Sequence, residues 1–368
     1  MTSPAAVDGE DAEVVSVDRG RWAEPGAETV RPGVHRVPLP LPNDGLRAVN
    51  VYLLEEDDGL VMIDGGWALP ESRAALESAL ASLGHDLGEI TRILVTHIHR
   101  DHYTQAVALR RLLGAQVFLG AGERPGLEML HEVRSNVPVS SLHALHRAGA
   151  DDLADRVRKS LAPDGFDGDD WEAPDGWLGP GVLDLGRRAL RIVPTPGHTR
   201  GHVVYLDETA GLLFAGDHVL PHITPSIGFE LAEPGLPLAD YLNSLRLVTT
   251  FADTWLLPAH GPVTGSAHER VAELLAHHDD RLAQALKVLG TGTRNGHAVA
   301  RELTWTRRGL AFPDLNDFNQ MLAVTETMAH LDVLVARGRV VAADDAGVRK
   351  YTRLDDGPAT APRRRRAV

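Results

Sequence analysis

The chain contains no cysteine. Disulfides, thiolate zinc sites, iron–sulfur clusters and a cysteine nucleophile are thereby excluded, so any metal must be held by imidazole and carboxylate. Aromatic residues make up only 5% of the 368 positions. The core therefore falls to Leu, Val, Ile and Ala, and stacking platforms for nucleic-acid bases are scarce. Lysine occurs three times, at Lys159, Lys287 and Lys350, and acidic residues outnumber basic ones 51 to 37, for a formal charge of −14. That balance argues against a dedicated binder of nucleic acid or anionic membrane, because both need a net positive face. No run of about 18 apolar residues is present to span a bilayer. Residues 1–11 lack the basic and apolar regions of a secretory signal, so a cytoplasmic location is expected. There is no G-x-S-x-G elbow, P-loop or S-x-x-K, and Gly120-Ala121-Gly122 lacks the third glycine of a dinucleotide fingerprint.

With 43% hydrophobic and 24% charged residues, the chain can bury a sizeable core, and its length fits one large domain and one small one. Residues 1–30, rich in Ala, Glu, Asp, Gly and Pro, read as a disordered leader. Apolar runs at 34–39, 49–54 and 60–63 predict a β-rich opening. Helical spacing follows at 70–84 and 106–113, with buried strands at 93–95 and 117–119. From about 122 to 178, helical stretches (126–134, 141–146, 151–161) alternate with polar loops and read as an insertion or cap over a sheet edge. Strands are expected at 190–193, 203–206, 212–215 and 255–257, with a helix at 237–248. Helices at 268–289, 296–303 and 317–337, then strands at 339–343 and 349–353, make a winged-helix pattern over 268–354. Residues 355–368, with the run Arg363 to Arg366, read as a disordered tail.

The chemistry is concentrated in four places. Thr96-His97-Ile98-His99-Arg100-Asp101-His102 lies between a buried strand and a helix, with four metal-ligand residues in six positions. Pro196-Gly197-His198-Thr199, Ala215-Gly216-Asp217-His218 and Pro258-Ala259-His260-Gly261 each follow an apolar strand, and each sets a ligand-type residue among Gly or Pro. Loops at one edge of a rigid sheet are where function gathers. Imidazole and carboxylate together suit zinc, iron or manganese.

This ordered set, H-x-H-x-D-H, then G-H-T, G-D and A-H-G, resembles the metallo-β-lactamase-fold superfamily over about residues 33 to 265. The resemblance implies an α+β fold, an αββα sandwich spanning 31–267, with the helical insertion inside it and the winged helix after it. It implies two divalent metal ions, zinc first, with iron or manganese as alternatives. His97, His99 and His198 would hold one, Asp101, His102 and His260 the other, and Asp217 would bridge them. Two cations roughly 3.5–4 Å apart lower the pKa of a bridging water towards neutrality and polarise the bond to be cleaved. Asp101 and Asp217 are then the catalytic carboxylates. Asp64, Arg100, His202 and His222 are candidates for supporting a ligand or touching substrate. Asp64 reads equally as a strand-end turn residue, and Arg100 equally as an outward arginine paired with an acid.

True β-lactamases of this fold generally lack the bridging aspartate, so Asp217 makes the chain look more like the glyoxalase II, lactonase and nuclease branches. The insertion, the winged helix and the shortage of lysine depart from glyoxalase II. A lactamase domain followed by a winged helix resembles the β-lactamase-like protein 2 group, which includes candidate thioesterases and an RNA endonuclease. Hydrolysis of a small acyl substrate, a thioester first and a lactone second, is the expectation. An RNA or DNA phosphodiesterase using the winged helix is the alternative, and an oxygen-dependent di-iron enzyme a third. Between His297 and Leu354 there are eight Lys/Arg and seven Asp/Glu, too balanced for a groove-reading module. Packing or homodimer formation is the role expected of that segment.

Overall fold

The computed structural model describes residues 21–42, 45–133, 138–161, 166–229, 235–306 and 309–354. Strands β1 (Glu28–Arg31), β2 (Val34–Pro40), β3 (Ala48–Glu56) and β4 (Gly59–Ile63) form an antiparallel meander. Helix α1 (Pro70–Leu83) leads to β5 (Ile90–Val95), and helix α2 (Arg100–Leu113) to β6 (Gln116–Gly120), both strands parallel to β4. After helices α3 (Arg124–Val133), α4 (Val139–Arg147) and α5 (Asp151–Leu161), β7 (Gly176–Leu178) pairs with β6 and completes a seven-stranded sheet. The second sheet comprises β8 (Gly181–Asp184), β9 (Ala189–Pro194), β10 (Val203–Asp207), β11 (Leu212–Gly216) and, after helix α6 (Pro237–Val248), β12 (Trp255–Pro258). The C-terminal segment contains α7 (Ala267–Leu289), β13 (Thr293–Asn295), α8 (Gly296–Ala300), the short pair β14 (Thr304–Trp305) and β15 (Leu310–Ala311), α9 (Asp317–Ala336), β16 (Val340–Asp345) and β17 (Val348–Arg353). Its small sheet runs β13-β17-β16.

The central strands of both sheets, β3, β4, β10 and β11 among them, are buried on both faces, which is why they read as continuous apolar runs rather than alternating ones. Along β3, Tyr52 and Leu54 face the second sheet and meet Val203, Tyr205 and Phe214. Val49, Val51 and Leu53 face the other way, onto Leu76 and Leu80 of α1 and Val107 of α2. The second sheet turns Val204, Leu206, Leu213 and Ala215 outwards, under Leu242 and Leu245 of α6 and Leu274 of α7. The αββα layering expected from the resemblance is therefore present. Burying each such leucine contributes about 1.5–3 kcal/mol.

Several elements differ from expectation. β1 starts inside the stretch read as leader; residues 1–20 and 355–368 lie outside the described residues. α2 begins at Arg100 rather than Ala106, because the polar metal-motif residues that form its first turn carry no apolar periodicity. β7 and β8 are short edge strands, the first half-exposed and the second mostly exposed, so no alternation marks them. Within the insertion, α3 buries Leu127 and Leu130 in the cluster of the first sheet, whereas α4 and α5 pack on the C-terminal helices. Leu142, Leu145, Leu153 and Val157 of α4 and α5 are buried in the same apolar cluster as Val324 and Leu331 of α9, and Arg156 pairs with Asp317 at 2.9 Å. No helix among the described residues is long and apolar enough to cross a membrane.

Candidate metal centre

All the motif residues leave the sandwich at one edge. Asp64 follows β4, His97 and His99 follow β5, His198 follows β9, Asp217 follows β11 and His260 follows β12. Buried hydrogen bonds tie the strand ends of the two sheets together there. Asn50 Nδ2 donates to the carbonyls of Pro258 and Gly261 at 2.9 and 2.8 Å. Tyr52 donates its hydroxyl to Pro258 O at 2.8 Å, and Tyr205 donates to Val95 O at 2.8 Å. The loop carrying His198 lies directly on α6: a Cβ at Gly197 (φ +139°) would sit 2.4 Å from the Tyr241 Cα. Only glycine permits that approach in that conformation.

The donor atoms form two groups. His97 Nε2, His99 Nδ1, His198 Nε2 and an Asp217 oxygen converge in the first, and Asp101, His102 and His260 in the second. His99 Nδ1 lies 3.0 Å from both His97 Nε2 and His198 Nε2, and Asp217 Oδ2 lies 3.3 Å from His198 Nε2. Zinc–imidazole bonds of about 2.0–2.1 Å put tetrahedral neighbours roughly 3.3 Å apart. In the second group, His260 Nε2 is 3.4 Å from Asp101 Oδ2 and 3.4 Å from Asp217 Oδ1, and His102 Nε2 is 3.7 Å from each of the same two carboxylates. Asp217 thus turns one oxygen to each group. His102 Nε2, His260 Nε2 and Asp217 Oδ1 are buried without a hydrogen-bond partner among the described residues. Buried polar atoms are ordinarily paired, and unpaired ones aimed at a common point fit a cation between them.

Apart from His99 Nε2, which has no hydrogen-bond partner among the described residues, the other ring nitrogens are committed, which fixes their tautomers. His198 Nδ1 donates to Ser226 O at 2.8 Å and His260 Nδ1 to Ala48 O at 2.8 Å. His102 Nδ1 donates to Asp64 Oδ2 at 3.0 Å. Thr96 donates its hydroxyl to Asp64 at 2.9 Å and faces His97 Nδ1 at 3.1 Å. Asp64, 2% exposed and at φ 60°, therefore steadies one histidine of each group, the first through Thr96. His202 takes no place among the donor atoms. Its Nδ1 meets Thr195 Oγ1 at 2.9 Å, and its Nε2 accepts from the Asp217 amide at 3.2 Å, so it sets the backbone of Asp217. Arg100 stacks its guanidinium 3.9 Å over the Trp67 ring rather than pairing with an acid. His222 lies half-buried against Gly261, beside His260.

Electrostatics separate the two groups. Burial, reinforced by neighbouring imidazoles, holds His97 well below the usual histidine value, and burial takes His99 down to about 3. Burial opposes charge on His102 as well, yet the carboxylates of Asp64, Asp101 and Asp217 outweigh it and hold that ring at about 10. His260 is raised for the same reason. Asp101 and Asp217 are lowered despite burial, by His102 and His260. Protons on the second group thus occupy the place where a cation would balance the carboxylates, and cation binding would release them.

Two supporting residues carry no motif signal. Thr96 is the residue before the first motif histidine, where a hydroxyl reaches both Asp64 and His97. Glu123, only 3% exposed, accepts the hydroxyl of Thr199 beside His198. A lone glutamate after a strand has nothing in its sequence context to reveal that contact.

The sequence matches the metallo-β-lactamase superfamily profile over residues 44–283. The probable metallo-hydrolase YqjP of Bacillus subtilis (strain 168) is 24% identical over 323 residues, 82% of this chain and 91% of that protein. A β-lactamase-like protein 2 homolog of Caenorhabditis elegans is 27% identical over 66% of each chain. An atrochrysone carboxyl ACP thioesterase of Aspergillus fumigatus is 25% identical over 261 residues, 69% of this chain and 48% of that protein. A solved metallo-β-lactamase family protein from Thermus thermophilus superposes with a TM-score of 0.72 at 27% identity, over 89% of this chain and 100% of that one, a share too large to leave out the C-terminal segment. With its profile match covering well over half of the sequence and its donor residues leaving one edge of a two-sheet sandwich, this chain belongs to the metallo-β-lactamase superfamily.

Proposed function

We propose that the protein is a dinuclear metal-dependent hydrolase of a small acyl substrate, with thioesters ahead of lactones. The observation that carries this reading is Asp217, which faces a separate donor group with each carboxylate oxygen. In this reading His97, His99, His198 and Asp217 Oδ2 hold one ion, and Asp101, His102, His260 and Asp217 Oδ1 hold the other. Zinc suits an imidazole-rich set with few carboxylates. Bound divalent cations would supply Lewis acidity, acidifying water and polarising the acyl carbonyl.

The chain's own groups do the rest. Asp64 and His202 keep the ligand rings and the bridging carboxylate in one geometry. Asp101, with its side chain 16% exposed against 10% for Asp217, is the carboxylate best placed to accept the proton that water gives up. Water oxygen bonds to the acyl carbon, the carbon–sulfur bond breaks, and the departing thiolate takes up a proton. A thioester is favoured because one relative is named as an acyl-carrier thioesterase.

The C-terminal order α7, β13, α8, α9, β16, β17 supports a winged helix, and its α9 supports a packing role rather than a nucleic-acid one. That helix buries residues on every side, among them Met321, Val324, Met328, Leu331 and Leu334, so little of it is left to enter a groove. The test is a panel of coenzyme A thioesters, lactones, a β-lactam and a phosphodiester, run with metal-loaded and chelated protein. The expected result is metal-dependent turnover of a thioester. Turnover of the phosphodiester at least tenfold faster than every thioester and lactone would overturn the reading.

A further inference from the structure

The chain has only seven phenylalanines, and two of them meet beside a metal-ligand candidate. The Phe229 ring lies 5.7 Å from the His99 ring and 5.8 Å from the Phe318 ring, the latter contact edge-on at 73°. Phe229 is half-buried against the apolar cluster of the second sheet and C-terminal helices. Phe318, in the first turn of α9, packs edge-on against Phe229 yet leaves 41% of its surface exposed. A two-ring corner also leaves aromatic edges and faces available to a third ring, and such contacts favour an aromatic guest over an aliphatic one of equal area.

We infer that Phe229 and Phe318 form the acyl-side wall of the site and that the acyl group they select is planar and aromatic. This rests on the acyl-hydrolase reading above and names its substrate class. His99, itself a member of the first donor group, touches the wall directly, its ring 5.7 Å from that of Phe229, so an acyl ring held by the wall lies next to the donor atoms. The C-terminal segment then contributes specificity through Phe318, whereas the sandwich supplies the donor atoms.

The experiment compares benzoyl- and cyclohexanecarbonyl-coenzyme A, which share leaving group and approximate size, on the full-length metal-loaded protein and on Phe318→Leu and Phe229→Leu. Metal content is measured for each protein. Alongside, 2-naphthoate is titrated by fluorescence as a probe of the wall that requires no turnover. Wild type is expected to favour benzoyl in kcat/KM by about threefold to tenfold. In the variants that ratio should fall towards one, and naphthoate should bind several-fold more weakly at unchanged metal content. A ratio at or below one in wild type, or a ratio preserved in both variants, overturns the inference. If naphthoate binding depends on Phe318 while no thioester is turned over, the aromatic wall stands and the thioesterase reading falls.

Discussion

Replacing Asp64 with asparagine changes one charge and almost no volume, which isolates what that carboxylate does for the metal centre. The backbone tolerates the exchange, because asparagine is among the few residues that accept the positive φ of 60° found there. The carboxylate accepts three protein donors: the Thr96 amide at 2.7 Å, the Thr96 hydroxyl at 2.9 Å and His102 Nδ1 at 3.0 Å. An amide has one acceptor end. If its oxygen stays with Thr96, its NH2 faces the His102 Nδ1 proton; if it is flipped, the NH2 faces the Thr96 amide. In the first and better arrangement His102 escapes the clash by moving its proton to Nε2, the atom that would hold the cation. Losing such an orienting partner typically costs 10–100-fold in metal affinity, which is about 1.4–2.8 kcal/mol. Competition against a chromophoric chelator, resolved into two binding steps, reads the effect. The expected result is one step weakened by that factor, the other changed far less, and an unaltered circular dichroism spectrum. Two affinities both within twofold of wild type would refute the role given to Asp64.

Elemental analysis should find about two divalent ions per chain. Asp217→Ala should weaken both steps and reduce turnover by at least a hundredfold, whereas His198→Ala should empty one site; near-full activity of the Asp217 variant would contradict the bridge. Gly197→Ala should destabilise the protein by about 1–3 kcal/mol, since the new methyl meets the α6 backbone at 2.4–2.5 Å, and metal occupancy should fall with it. Away from the metal centre, burial takes His278 down to about 2 and His330 down to about 3. Both lie below the unfolded value near 6.5, so the unfolded chain gains protons first, and stability is present above about pH 6.5 and lost as pH falls below it. The loss is up to about 1.4 kcal/mol per pH unit for each histidine. Urea midpoints measured from pH 7 to 4 should fall steeply, and less steeply in His278→Phe; parallel slopes would count against the assignment.

The motif residues were readable because their side-chain types are themselves the chemistry and because each follows an apolar strand. The sandwich was readable for a related reason: strands buried on two faces give the uninterrupted runs seen at 49–54 and 60–63. What stayed hidden was local or generic. β1, β7 and β8 lie at sheet edges and have too few apolar residues for a pattern. The start of α2 was masked by His99 to His102. Thr96 and Glu123 are ordinary residues whose importance comes from partners 32 and 76 positions away, and Thr195 is a plain strand-end threonine until His202 folds back onto it. Arg100 lies on Trp67 rather than beside an acid, a contact no spacing rule connects. For α4 and α5 the sequence shows the apolar faces but not α9, the surface that covers them.

That shared cluster has a consequence for how the molecule is made. α4 and α5 cannot bury their apolar faces until α9 arrives, and the Arg156–Asp317 pair joins residues 161 positions apart. During synthesis the whole sandwich can emerge from the ribosome and pair its strands while these two helices still lack their covering. The growing chain must therefore carry an exposed greasy surface for the last part of its production, a window in which chaperones have something to hold. The same timing means that the phenyl ring α9 sets against Phe229 reaches the His99 side of the centre only after every donor residue has been laid down.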